Sequence, residues 1–189
     1  MNLDKNNIDS LIKVLRKAGP LKTLKRTGWV LKGVKDSESV ADHTWRVCLF
    51  AALLSDNSLN RERLLDMAIV HDLGEIIVGD VKWEKGKKIL VPEKPKRKKE
   101  EKAIAEIFKG HSKQKYYVSL LEEFTEQKTP EAKFLMQVDK LERTLQALEY
   151  EKKGTKSLNE FWESAKRFLE GKELEPIFRE LQKMRKKSR

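Results

Sequence analysis

Apolar residues recur at intervals of three and four along almost the whole chain, and nowhere do they alternate as a half-buried strand requires. That pattern restricts the fold to packed helices. Ile8, Leu11, Ile12, Val14 and Leu15 mark a first amphipathic helix, which Gly19-Pro20 ends. Residues 21–38 carry Gly28, Gly33 and Asp36 without a sustained period and read as an ordered loop. Ser39 opens the next helix, with Asp42 supplying a short-chain version of a capping box. Val40, Val47, Phe50, Ala51 and Leu54 carry that helix to about Ser55. A third helix is expected from about Asn60 to Ile77, with Leu64, Leu65, Ala68, Ile69, Leu73 and Ile76 on its inner side. Gly79 and WEKGKKILVPEK then form a loop long enough to suggest a role of its own. Pro95 suits the first turn of a helix through about Lys109, and further helices are expected near 113–127, 129–151, 158–170 and 173–186. There is no heptad run and no internal repeat. The expectation is an all-α fold, one compact helical bundle over residues 1–189.

Composition narrows the functional classes. A single cysteine, Cys48, excludes an intramolecular disulfide framework. No apolar run approaches bilayer length, and the acidic, Asn-rich start does not read as a signal peptide, so a cytoplasmic location is expected. The net charge of +11 favours an anionic partner: a nucleotide, a nucleic acid or an acidic protein. Its excess is concentrated in KPKRKK (94–99) and KMRKKSR (183–189), which read first as solvated charge rather than as a nucleic-acid contact.

Two of the three histidines sit where a polar side chain needs a reason. His43 lies in the row Val40–His43–Val47, so it faces inward with the apolar stripe. His71 follows Leu64 and Ala68 on an inner row, and Asp72 falls between Ile69 and Ile76 in the row beside it. An inward aspartate is costly unless paired or bound to a metal. Imidazole and carboxylate together suit manganese, cobalt, iron, nickel or zinc better than calcium. A fourth ligand is available in AKFLMQVDKLERTLQAL, where Asp139 borders the apolar row of Phe134, Val138, Leu141, Leu145 and Leu148. Taken alone, Asp139 reads more readily as a surface acid on a charged helix. Glu75 projects one turn beyond His71-Asp72, and Asp80 follows Gly79; each reads equally as a proton carrier beside a metal or as a solvated or turn-forming acid. His111 and Cys48 receive no role.

In combination, ESVADH, HDLGE, the following GD and QVDK resemble the H…HD…D signature of the HD-domain metal phosphohydrolases. More narrowly they resemble the HD-domain-containing protein 2 group, related to the bacterial 5'-deoxynucleotidases, over about Leu24 to Tyr150. The resemblance implies a compact helical fold and hydrolysis of deoxyribonucleoside 5'-monophosphates. It implies a divalent metal ion, a transition metal before magnesium, on His43, His71, Asp72 and Asp139, with Glu75 and Asp80 as catalytic acids. It also implies a homodimer. In the bacterial relatives an Arg-Trp pair contacts the nucleotide; here Trp29 keeps the spacing, Gly28 stands in the arginine's place, and Arg26 is the nearest arginine. Two other readings remain: an HD-type phosphodiesterase or alarmone hydrolase, and, outside enzymes, a basic nucleic-acid-binding module.

Overall fold

The computed structural model describes residues 4–79, 93–156 and 158–188. Asp80, and most of the loop between the third and fourth expected helices, lie outside the described residues. The described residues are helical, without a strand. Helix α1 (Lys5–Ala18) starts on the Asp4 side chain, which accepts the Asn7 N–H, and passes at Gly19-Pro20 into a single 3₁₀ turn, Gly19–Lys22. Then come α2 (Thr27–Leu31), α3 (Val40–Leu54), α4 (Arg61–Val70), α5 (Glu75–Val78), α6 (Glu93–Ile107), α7 (Gln114–Glu126), α8 (Pro130–Lys152), α9 (Asn159–Leu169) and α10 (Glu175–Lys187).

Local chemistry sets most of these boundaries. The Ser39 side chain accepts the Asp42 N–H while the Asp42 carboxylate accepts the Ser39 N–H, so α3 begins with a complete capping box. Thr129 caps α8 and Pro130 occupies its first position, where a missing N–H costs nothing. Helix α8 is the centre of the bundle: α3, α4, α7, α9 and α10 all pack against it. Phe134, Leu135, Val138, Leu141 and Leu148 are buried along it, each such side chain contributing about 1.5–3 kcal/mol by leaving water. No helix among the described residues is long and apolar enough to cross a membrane.

Two expectations change. The loop expected over 21–38 contains α2, and its two ends are joined by an isolated antiparallel bridge between Lys25 and Ser39. The Arg26 N–H donates to the Glu38 carbonyl and the Val40 N–H to that of Leu24, so this segment is clamped against the start of α3. The helix expected from Asn60 to Ile77 is interrupted. Regular α-helix ends at Val70, and the N–H groups of Leu73, Glu75 and Ile76 bond carbonyls only three residues back. This tighter winding advances each residue by about 120° instead of 100°. Ile69, expected on the inner side, is 51% exposed although it precedes the tightened turn, whereas Ile76 packs partly buried against the core.

Candidate metal centre

His43 stands one turn into α3, between Val40 and Val47, and all three are fully buried. His71 caps α4 at the interruption, and Asp72 follows it in the turn. Asp139 projects from the middle of α8 and is buried. Four side chains that the sequence separates by up to 96 positions thus meet where α3, the α4–α5 turn and α8 converge. One atom each of His43, His71 and Asp139 lies within 4.8 Å of the others. Asp72 Oδ2 is 3.6 Å from His43 Nε2 and 3.4 Å from His71 Nε2, and Asp139 Oδ1 is 3.3 Å from His43 Nε2. Ligands about 2.1 Å from a single ion lie about 3.0–3.4 Å apart, close to these separations, so the group could hold a metal ion.

The tautomers fit as well. The His71 Nδ1–H donates to the Ala68 carbonyl at 2.7 Å, which leaves Nε2 as the lone-pair nitrogen. His43 Nδ1 is engaged by the Glu142 carboxylate. Both Nε2 atoms are buried and accept or donate no well-formed hydrogen bond. A buried, unsatisfied nitrogen costs about 1–3 kcal/mol, and two that face the same pair of carboxylates are accounted for by a cation between them.

Charge in the centre is balanced by protein cations from one side. The Arg26 guanidinium reaches Asp72 Oδ2 at 2.6 Å, and Lys140 Nζ reaches Asp139 Oδ2 at 2.8 Å. Burial works against charge on both carboxyls. For Asp139, Lys140 and His43 outweigh it and hold the acid well below the usual range; for Asp72, His71 and Arg26 do so. Burial and Arg26 likewise oppose charge on His43, yet the carboxylates of Asp139 and Glu142 push its pKa up to about 9.

The remaining sequence-derived residues divide. Glu75 is buried at the head of α5, its N–H bonded to the Asp72 carbonyl at 3.1 Å, one short turn from the ligand set. Asp80 lies outside the described residues. Arg26 comes into the centre, delivered by the Lys25–Ser39 bridge. Trp29 is different. It is 1% exposed, stacked on Phe161 at 4.3 Å, edge-on to Tyr150, and its Nε1–H donates to Glu38. No face of the indole is open to a base, so in this arrangement Trp29 is a core residue that carries α2. Burial, with Glu142 next, raises its partner Glu38 to about 7.

Sequence reasoning missed Glu142, Arg46 and Lys140. A signal was present for the first: Glu142 is four residues from Val138 and three from Asp139, an acid on an inward row.

A family model described as HD domain matches residues 18–181. The chain belongs to the HD-domain family. This HD-domain protein is 40% identical over 144 residues to the 5'-deoxynucleotidase HDDC2 of Homo sapiens, spanning 75% of this chain and 69% of the relative. It is 37% identical over 160 residues to the 5'-deoxynucleotidase hdd1 of Schizosaccharomyces pombe, spanning 80% and 79%. Among solved structures, a conserved hypothetical protein from Pyrococcus furiosus superposes with a TM-score of 0.75 at 33% identity, covering 91% of this HD-domain protein and 99% of the other chain.

Proposed function

We propose that the protein is a metal-dependent 5'-deoxynucleotidase that hydrolyses deoxyribonucleoside 5'-monophosphates to deoxynucleoside and phosphate. The observation that carries this reading is the pair of buried imidazole Nε2 atoms, both without hydrogen bonds, facing Asp72 and Asp139. Its substrate class is supported by the relatives' activity. His43, His71, Asp72 and Asp139 hold the ion, which when bound supplies a water of lowered pKa and neutralises charge on the phosphoryl group. Manganese, cobalt, nickel, iron and zinc all suit two imidazoles and two carboxylates better than magnesium does.

The protein's own groups supply the rest. Arg26, held 2.6 Å from Asp72, is a fixed guanidinium at the edge of the centre, suited to a phosphate oxygen. Lys140 keeps Asp139 ionised, so its second oxygen remains a donor. Glu75, buried beside the ligand turn, is placed to orient the attacking water or to protonate the departing 5'-oxygen, and the resemblance names Asp80 as the second acid for these two tasks. Residues 1–189 form one domain in this reading, with α9 and α10 packed on α8.

Phosphate release from each deoxy- and ribonucleoside 5'-monophosphate, with a panel of divalent ions, tests the proposal. A cyclic nucleotide and a guanosine alarmone are run beside them. Deoxyribonucleotides are expected to turn over fastest, with a transition metal. Faster turnover of the cyclic nucleotide or the alarmone would reject the substrate class. A basic nucleic-acid module would instead bind duplexes in a salt-sensitive way that survives loss of His71. Against that reading, Arg185 of the basic tail is committed to packing: it pairs with Glu151 at 2.7 Å and lies 4.6 Å over the Trp162 ring.

The protein acts in this reading as a homodimer. In a lysine-rich chain, no lysine occurs between Lys35 and Lys82. Along the outer side of α3, Trp45 (65% exposed), Leu49 and Leu53 (74%) recur every four residues, and Ile69 is exposed on α4. Protein interfaces are depleted in lysine and enriched in aromatic residues. Leu53→Lys combined with Trp45→Glu is expected to halve the mass measured by light scattering. A parental protein that already runs as a monomer at tens of micromolar would dispose of the dimer.

A further inference from the structure

One turn beyond the metal centre, the same two helices make a second buried contact. His43 and Arg46 lie three residues apart on α3; Asp139 and Glu142 lie three apart on α8. The first pair of residues, His43 and Asp139, meets at the centre. Glu142 closes the arrangement from behind: one carboxylate oxygen takes His43 Nδ1, and the other accepts Arg46 Nε at 2.8 Å. Glu142 is fully buried. Arg46 is fixed in turn, with Nη1 between the two Glu149 oxygens at 2.9 and 3.0 Å and Nη2 on Gln146 Oε1. Every donor of the guanidinium used here goes to α8, so the fork has one orientation.

The two imidazoles are therefore supported differently. His71 leans on a neutral carbonyl, that of Ala68. His43 leans on a buried carboxylate whose charge is matched by an arginine. A carboxylate behind a ligating imidazole fixes the ring, directs the opposite nitrogen to the ion and raises its basicity. We propose that Glu142, held by Arg46, is a positioning residue for the metal, acting through His43 and making this histidine the stronger-binding of the two. The inference rests on His43 being a ligand. It adds a dependence of metal affinity on two residues that do not touch the ion.

A salt bridge that merely joined α3 to α8 would affect stability alone. The test therefore measures both quantities on the full chain: affinity for Co²⁺ and Zn²⁺ by competition with a chromogenic chelator, and thermal unfolding of the metal-free protein. Glu142→Gln keeps shape and an acceptor but removes the charge, and its affinity is expected to fall about tenfold. Glu142→Leu removes the acceptor, and a fall approaching about 100-fold is expected, the range seen when such supports are lost. Arg46→Lys is expected to lie between Glu142→Gln and the parent. Glu151→Gln, which breaks the Arg185 pair between α8 and α10, provides the control: lower melting, parental affinity. Glu142→Gln and Glu142→Leu that melt lower but bind metal as the parent does would overturn the inference. A parental chain that takes up neither ion would overturn the centre itself, and this inference with it.

Discussion

Asp72→Ala protein is expected to be isolated without stoichiometric metal and to release phosphate from dAMP at least about a thousandfold more slowly than the parent; even a single preorganised electrostatic contact is worth about 10²–10³ in rate. The expectation follows from position. Asp72 Oδ2 lies 3.6 Å from His43 Nε2 and 3.4 Å from His71 Nε2, and it also holds Arg26. Its removal opens the ligand set and takes away the carboxylate that pairs with Arg26, leaving the guanidinium charge beside the imidazoles, an arrangement that repels a cation. Elemental analysis after dialysis reads the first effect and a phosphate assay the second. An Asp72→Ala protein that hydrolyses dAMP at the parental rate without metal would end the assignment of the whole centre.

Glu75→Gln is expected to separate the two readouts. Its carboxylate is buried one short turn beyond Asp72, and the proposed reading makes it a proton carrier and not a ligand. Metal content should therefore remain parental. Turnover should fall by about 10²–10⁴, the usual worth of a positioned proton carrier. The amide preserves volume and hydrogen bonding, so a large change in melting temperature is not expected. Parental kcat in a metal-loaded Glu75→Gln protein would remove Glu75 from the chemistry, and loss of metal would make it a ligand instead.

The helical architecture was legible because apolar periodicity and capping chemistry agree along most of the chain. Ser39 with Asp42, Thr129 with Pro130, and the break at Gly19-Pro20 fall where the structure puts helix ends. His43 was legible for the same reason: a polar residue on a fully apolar row. The tightening after Val70 was not, since a change from four-residue to three-residue bonding leaves no mark in composition. His71 was placed inward through Leu64 and Ala68, both fully buried, whereas Asp72 was placed there through a row containing an exposed Ile69. Residues 21–38 failed as a simple loop because their order comes from contacts distant in sequence: the Lys25–Ser39 bridge, Trp29 on Phe161, and the Tyr150 hydroxyl accepting the Glu38 N–H. Trp29 illustrates the limit of spacing arguments. Its place in the motif suggested a ligand contact, while its surroundings enclose it. Glu142 was overlooked because an acid inside an acid- and lysine-rich helix looks ordinary until its partners on α3 are known.

The position of α8 has a consequence for how such a protein can diverge. Asp139 and Glu142 ride on the one helix against which five others are stacked, whereas Arg26 immediately precedes α2 and Glu75 begins α5, segments of five and four residues. In the proposed reading, exchanging those short pieces would alter the phosphate contact and the water-positioning acid while the stiff spine stayed untouched.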